Sequence, residues 1–466
     1  MWAEPKSEFR QKDRTIGERL AAGKELRRNF PRARMGDFEV ASNRADPVAI
    51  LEEQGKSRVQ DLVPIRYARM LSSPFAFLRG AAAVMAGDLA AGQENTGINV
   101  QACGDMHIAN FGVFASAERN LIFGINDFDE TFPGPWEWDL QRLVASIIVG
   151  GKFLGADTAL CTDSVRAAVS TYRKRIRQYA EMGNMELWYA TIREKDILKT
   201  ITSAQQKGLK KITTKARSRT HVQVLGKITD IVDDTHRLKD DPPFVIHETH
   251  TKAGLPIEEA LAALLESYKI SIGDDRKKLL SHYKIVDVAR KVVGVGSVGT
   301  RCWIIFLKGS HSEDPLFLQV KEAQASVLEP FLAKSSYANA GERVVQGQRL
   351  IQGAPDIFLG WGEYDGFHFY VRQLRDMKGG VEFDPQTVKI ENMPAYCSLC
   401  SWALALAHAK SGDAAMIAGY AGNSNELDEA MVRFAFDYAT QNEKDFRALQ
   451  AAAKSGRIKV APGETN

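Results

Sequence analysis

Apolar and polar positions alternate in three textures along the chain. From Pro74 the run FAFLRGAAAVMAGDLA, rich in Ala and Leu, predicts a helix. A short strand is expected at Asn99–Cys103, then a loop, then a second strand at Leu121–Ile125. Trp136–Gly150 is mostly apolar and predicts a buried helix. Over Thr162–Met182, Val165, Val169, Tyr172, Ile176 and Tyr179 recur every three or four positions, with Arg and Lys between them. That period predicts an amphipathic helix, capped by Thr162 or Asp163. Pro256 opens another, IEEALAALLESYKI, ending near Gly273. The texture then turns to β, with strands expected at Ile285–Val293, Cys302–Lys308, Leu316–Lys321, Ile357–Glu363 and His368–Leu374. One helix, about Gly341–Gln352, interrupts them. Beyond about residue 380 helices return, one after Pro394 and a long one from Asn425 to near Gly456. Residues 1–60 have mixed charge and few apolar periods, and read as a loosely docked arm. No internal repeat is visible.

The chain has 466 residues, more than one hydrophobic core usually serves, so at least two lobes are expected. With 44% hydrophobic and 26% charged residues, it is not a disordered chain. A net charge of +3 argues against nucleic acid as partner. Five cysteines suit a reducing, cytoplasmic setting rather than a disulfide scaffold. The N-terminus lacks the apolar run of a leader, and no stretch approaches the ~20 residues of a membrane span, so no membrane partner is expected. Residues 203–221 hold Lys207, Lys210, Lys211, Lys215, Arg217 and Arg219 and no acid. They read as a solvated, mobile segment, with contact to an anion as the alternative.

Two constellations carry chemistry. In Cys103-Gly104-Asp105-Met106-His107-Ile108-Ala109-Asn110, followed by Asn126-Asp127-Phe128-Asp129, an Asp, an Asn five positions on and a strand ending in Asp fit phosphoryl transfer. Asp105 has the spacing of a base that orients a hydroxyl, and Asn110 and Asp127 that of Mg²⁺ ligands. The second is Gly294-Val295-Gly296-Ser297-Val298-Gly299, set between two β patterns. Gly294, Gly296, Ser297 and Gly299 suit a flap over the phosphates of ATP rather than a dinucleotide turn, which needs a following helix. Lys321 ends the next strand and suits a phosphate-gripping lysine. Glu342 is its candidate partner, with Glu329 as rival. His107 could ligate a metal as in metallophosphoesterases, but the further ligand motif is missing. Cys397 and Cys400 read as core thiols. Arg66, Arg69 and Arg79 either clamp an anion or brace the loop.

The octet at Cys103–Asn110 resembles the H-G-D-x-H-x-x-N loop of aminoglycoside and choline phosphotransferases, in the protein-kinase-like superfamily. DFDETFPGPWEWDL resembles their D-F-x-D to D-L-A segment. The resemblance implies that Asp139 holds the loop backbone, with His107 in support, and that Cys103 replaces a packing histidine. The chain is also similar to a bacterial domain-of-unknown-function family marked by R-x-x-R-M (Arg66, Arg69, Met70), SPF-x-F-L-R-G (Ser73–Phe75, Phe77–Gly80) and G-D-x-H-x-x-N-F-G. In ordinary kinases the glycine loop and lysine precede the catalytic loop, whereas here they follow it. The implied fold is therefore α+β and bilobal, protein-kinase-like and circularly permuted. An arm (1–60) precedes the catalytic-loop part of a large helical lobe (61–284). A small antiparallel β-rich nucleotide lobe (285–376) follows, and C-terminal helices (377–466) complete the large lobe. Gln373 and Leu374, in a hinge at Arg372–Asp376, would meet adenine. The implied activity is ATP- and Mg²⁺-dependent phosphate transfer to a hydroxyl of a small molecule. The alternatives are an ATP-binding regulator without transfer, or an enzyme that moves AMP.

Overall fold

The computed structural model describes residues 14–462, apart from 93, 219–220, 234, 251–253, 312–313, 375–376 and 387. The principal elements begin with helices α1 (Ile16–Glu25), α2 (Pro47–Lys56), α3 (Val63–Leu71), α4 (Pro74–Gly80) and α5 (Ala82–Gly92). Short strands β1 (Asn99–Ala102), β2 (Phe111–Ala115), β3 (Leu121–Ile125) and β4 (Phe132–Pro135) lead into α6 (Trp136–Phe153), α7 (Thr158–Ala180) and α8 (Ser203–Ser218). Next come β5 (Val245–Ile246), α9 (Ile257–Ile270), β6 (Lys284–Lys291), β7 (Cys302–Lys308) and β8 (Pro315–Ala323). The chain closes with α10 (Ala340–Ile351), β9 (Gly360–Tyr364), β10 (Phe367–Gln373), α11 (Met393–Ser411), α12 (Ala414–Ala421) and α13 (Glu426–Lys454).

The fold is mixed α+β with small antiparallel sheets. β1 pairs with β4, and β2 with β3, so the segment carrying Cys103–Asn110 is strung between two hairpin-like ladders. The largest sheet runs β9-β10-β8-β7-β6-β5. Its central strand β8 is buried along its whole length. Side chains alternate across a strand. Leu318 and Val320 pack with Val371 under Leu264 and Tyr268 of α9, while Gln319 and Lys321 face the opposite side. Pairing sets Lys321 beside Tyr370 on β10 and Cys302 on β7. α9 and β5 both lie upstream of residue 285.

Helices from both ends of the chain share one core. Trp136, Leu143, Val165, Tyr172, Leu404, Ile417 and Phe434 are all essentially inaccessible and belong to the same cluster. Segment 16–56 is part of this assembly and is not a loose arm. Met35 and Leu51 are fully buried, and Arg27 Nε donates to the Tyr420 carbonyl at 2.8 Å. Its helices are short and bring few apolar residues each, which is why no period announced them. α7 starts four residues before the expected Thr162, because Asp157 caps it by accepting from Leu160 N at 2.7 Å. The basic segment is helical as far as Ser218, with Thr213 and Ala216 buried; Arg219 lies outside the described residues. β2 went unread because FGVFA is buried nearly throughout and shows no alternation. Among the described residues no single helix is long and apolar enough to cross a membrane, and the consecutive pair α4 and α5, bent by 75°, is mostly buried.

Candidate functional site

The loop after β1 is fixed from behind. Gly104 has φ +79°, and a Cβ there would lie 2.5 Å from the Glu130 carbonyl, so a side chain is excluded on both counts. Asp139, in the first turn of α6, accepts from Cys103 N at 2.6 Å and Gly104 N at 2.9 Å. His408 Nε2 lies 3.3 Å from the same carboxylate, and Tyr172 OH 2.8 Å from His408 Nδ1. One turn further along α6, Arg142 donates from Nε (2.8 Å) and Nη2 (2.5 Å) to Asp105 Oδ1. Asp105 Oδ2 lies 3.8 Å from His107 Nε2. Burial pushes His107 down to about 4, so it is neutral near pH 7. Burial likewise raises the Cys103 thiol well above its usual range and keeps it protonated.

Asn110 ties the loop to the acidic strand end. Its Oδ1 accepts from Asp127 N at 2.9 Å, and its Nδ2 donates to the carbonyls of Asp105 (3.2 Å) and Asp127 (3.1 Å). Lys321 Nζ sits 3.7 Å from Asp127 Oδ2 and makes a closer contact with Asp129. Asp129 also accepts from Tyr370 OH at 2.8 Å and from Ser297 Oγ at 3.1 Å. Burial alone would raise the Asp127 carboxyl, but Lys321, Arg372 and Lys378 outweigh it and hold Asp127 below the usual carboxylate range. Burial opposes the charge on Lys321, yet Asp127 and Asp129 outweigh that and hold its pKa well above the usual value. Both therefore stay charged at neutral pH.

The glycine segment joins β6 to β7 and folds against this cluster. Arg69 Nη1 donates to the Gly294 carbonyl at 2.6 Å, and Val59 N to the Gly299 carbonyl at 2.8 Å. Gly299 has φ +92°, and a Cβ there would press on the Arg58 side chain at 3.0 Å. A cavity of about 580 Å³ is lined by Asp127, Gly294, Ser297, Lys321, Gln373 and Leu374, among others. A second, of about 280 Å³, is lined by Asp105, His107, Asn110, Asp127, Gly296 and Ser297, with Arg58, Arg66 and Arg79. The two share Asn126, Asp127, Gly294, Ser297, Arg372 and Lys378 as a common border.

Residues far apart in sequence thus meet in one cleft: Asp105, Asn110 and Asp127 with Gly294, Gly296, Ser297 and Lys321. Asp139 stands behind it. Gly299 is turned away onto Arg58. Glu342 is not brought to Lys321, whose carboxylate neighbours are Asp127 and Asp129. α10 turns by about 100° per residue, so Arg343 faces the site instead, donating to the carbonyls of Thr131 (2.5 Å) and Asp129 (2.7 Å). Glu329 accepts from Ser335 N and is no substitute. Gln373 and Leu374 line the larger cavity, but their amides are engaged by the Asp356 carboxylate and the Phe317 carbonyl. Their amides are therefore not open to a ligand in that cavity. Arg375 and Asp376 lie outside the described residues.

Sequence reasoning missed Asp129, Arg142 and Tyr370, and had Arg372 only as the start of a hinge. Asp129 was in the quoted motif, two positions beyond Asp127. Arg372 donates to the Gln319 side chain (2.9 Å) and the Asn126 carbonyl (3.3 Å), a placement only the sheet register reveals. Among the described residues no group of three or more His, Cys, Asp and Glu is arranged to hold a metal. A Mg²⁺ beside Asp127 and Asn110 would take its other ligands from phosphate oxygens and water, its common habit.

An α+β protein with a divided, charge-lined cleft is the class these features define. The chain belongs to a family described as uncharacterized proteins conserved in bacteria (DUF2252), which it matches over residues 58–452. No curated protein and no solved structure matches it.

Proposed function

We propose that the protein is an ATP- and Mg²⁺-dependent phosphotransferase acting on a hydroxyl of a small molecule, with a circularly permuted protein-kinase-like fold. In this reading residues 285–376 supply the nucleotide lobe, and helices from both chain ends make the large lobe. One observation carries it: the glycine segment Gly294–Ser297 and the Asp105–Asn110 loop border the same cavity, and Lys321, in the adjoining larger one, reaches Asp127 on their common border.

The residues suit the roles. Asp127 and Asn110 Oδ1 would hold Mg²⁺, and charged Lys321 would steady the phosphates under the backbone of Gly294–Ser297. Mg-ATP, when bound, supplies the phosphoryl group and a metal that screens its charge. Arg142 occupies Asp105 Oδ1 twice over. That leaves Oδ2 to orient an acceptor hydroxyl and take its proton. Little proton abstraction is needed at first, because bond making lags behind bond breaking.

The test is calorimetry and thermal shift of the full chain with Mg-ATP. Saturation at a hundred times Kd should raise stability by about 2.7 kcal/mol. No heat and no shift would refute the proposal. With binding established, γ-labelled phosphate in a small-molecule product marks phosphotransfer. Adenine label in the product marks AMP transfer, and label in neither marks a regulator.

A further inference from the structure

Arg66 in α3 is fully inaccessible, yet its guanidinium meets only uncharged acceptors: the carbonyls of Leu51 (3.4 Å) and Gly80 (3.1 Å) and the side chain of Gln54 (2.9 Å). Arg58 bonds the Val298 carbonyl. Arg79 lies 6.0 Å from the centre of the Phe75 ring, and no hydrogen bond to its guanidinium is present among the described residues. The Nε atoms of all three are buried without a partner. Among the described residues no carboxylate pairs with any of them, whereas the nearby carboxylates are spoken for: Asp105 by Arg142, Asp129 by Lys321 and Glu322 by Arg301. Of the two other acids in the smaller cavity, Asp127 is held by Lys321 at 3.7 Å, and Glu130 accepts from Val327 N at 2.8 Å, with burial raising its pKa to about 7.

Arg58, Arg66 and Arg79 therefore line the same cavity as Asp105 and Asn110. The glycine segment crosses above them, with Gly296 set so that a Cβ would be 3.1 Å from the Arg79 carbonyl. Burying unpaired arginine charge is costly, and an anion offsets that cost. Guanidinium forks match phosphate oxygens in shape and charge.

We propose that Arg58, Arg66 and Arg79 form a phosphate-binding subsite beside Asp105, taking either a phosphate carried by the acceptor or the terminal phosphate of the nucleotide. The assignment of those two sources rests on the phosphotransferase reading; the subsite itself does not.

The experiment titrates the full chain with inorganic phosphate at constant ionic strength, by calorimetry and thermal shift, for wild type, Arg79→Gln and Arg79→Lys. Phosphate should bind wild type, and Arg79→Gln should weaken it by about tenfold or more. Arg79→Lys retains charge without the fork and should fall between; it replaces Arg79→Gln as the comparison if that variant loses the wild-type melting transition. Absence of phosphate binding by wild type, or equal binding by a folded variant, overturns the subsite. The titration is repeated with a saturating non-hydrolysable ATP analogue and Mg²⁺. Persistent phosphate binding assigns the subsite to the acceptor. Displacement assigns it to the nucleotide, and Arg79→Gln must then weaken ATP but not AMP. Phosphate binding without any ATP binding sinks the phosphotransferase reading and leaves the subsite standing, while ATP binding without phosphate binding does the reverse.

Discussion

Ser297 Oγ donates to Asp129 Oδ2 at 3.1 Å although the two residues are 168 positions apart. The glycine segment is thereby latched to the carboxylate that also receives Lys321 and Tyr370. Ser297→Ala removes one partly buried hydrogen bond, worth about 1 kcal/mol. Amide exchange over residues 294–300 should accelerate by roughly fivefold, with little change in global stability. Unchanged exchange would mean that the carbonyl contacts from Arg58 and Arg69 hold the segment without the serine.

Lys321 is 2% exposed and stands between two carboxylates. Lys321→Met takes away their closest cation and leaves Arg372 and Lys378 as the remaining positive charges, at a cost on the order of 3 kcal/mol in urea denaturation. Adding Asp129→Asn should recover part of the loss, so the double variant falls short of the summed singles. In wild type the Asp127 carboxyl lies below its unfolded value, so its contribution is complete above about pH 4 and disappears as pH falls through the folded value. Lys321→Met should flatten that acid limb. Strictly additive losses would contradict a shared ion cluster.

These two relationships also mark where the sequence stops being informative. Asp105, Asn110 and Asp127 could be grouped from spacing because they sit on one short loop and at the end of the β2–β3 hairpin that follows it, where local geometry and chain order coincide. The five β patterns from Ile285 onward were legible from β-branched and aromatic content, though Gly360–Tyr364 begins three residues later than Ile357. Partnerships across the chain were not legible. Lys321 invited a glutamate on the next helix, but whether Glu342 or Arg343 faces inward depends on the rotation of α10, which no period fixed. The Asp139 contact to Cys103 and Gly104 followed from resemblance, whereas Arg142 one turn on carried no motif at all. The helices of residues 16–56 escaped because their burial is supplied by α12 and α13, near the other end of the chain.

Two carboxyls lower stability as pH rises toward neutrality, against His107, whose lowered pKa makes stability rise between about pH 4 and 6.5. Burial raises Glu130 and Glu137 from 4.5 to about 7. Both then hold a proton in the folded protein that they release when it unfolds at pH 6. The folded state binds more protons, so stability is greatest below about pH 4.5 with respect to these groups and declines as pH rises through 7. Each group spans roughly 3 kcal/mol at most over that interval. Glu137 is the cleaner probe, since it lies behind the site with Oε1 accepting from Thr96 N at 2.7 Å and Oε2 unpartnered. Glu137→Gln should flatten the decline of the melting temperature between pH 5 and 7. An identical slope in the variant would show that Glu137 does not titrate there.

In the phosphotransferase reading, Asp105 separates chemistry from binding. It touches neither Lys321 nor the glycine segment, and its fixed partner is Arg142, which is 3% exposed. Asp105→Asn keeps an oxygen toward Arg142 but cannot accept a hydroxyl proton. If phosphotransfer is the activity, turnover should fall by about 10²–10⁴-fold, while Mg-ATP affinity changes little because Asp127, Asn110 and Lys321 are untouched. The substitution also takes the counter-charge from a buried guanidinium, so about 1–3 kcal/mol of stability should be lost, and rates belong well below the variant's melting transition. Arg142→Met in the same background removes that stranded charge. It should return some stability without returning turnover, because the proton acceptor is still missing. Loss of ATP binding in folded Asp105→Asn would move this carboxylate from the acceptor side of the cleft to the nucleotide side.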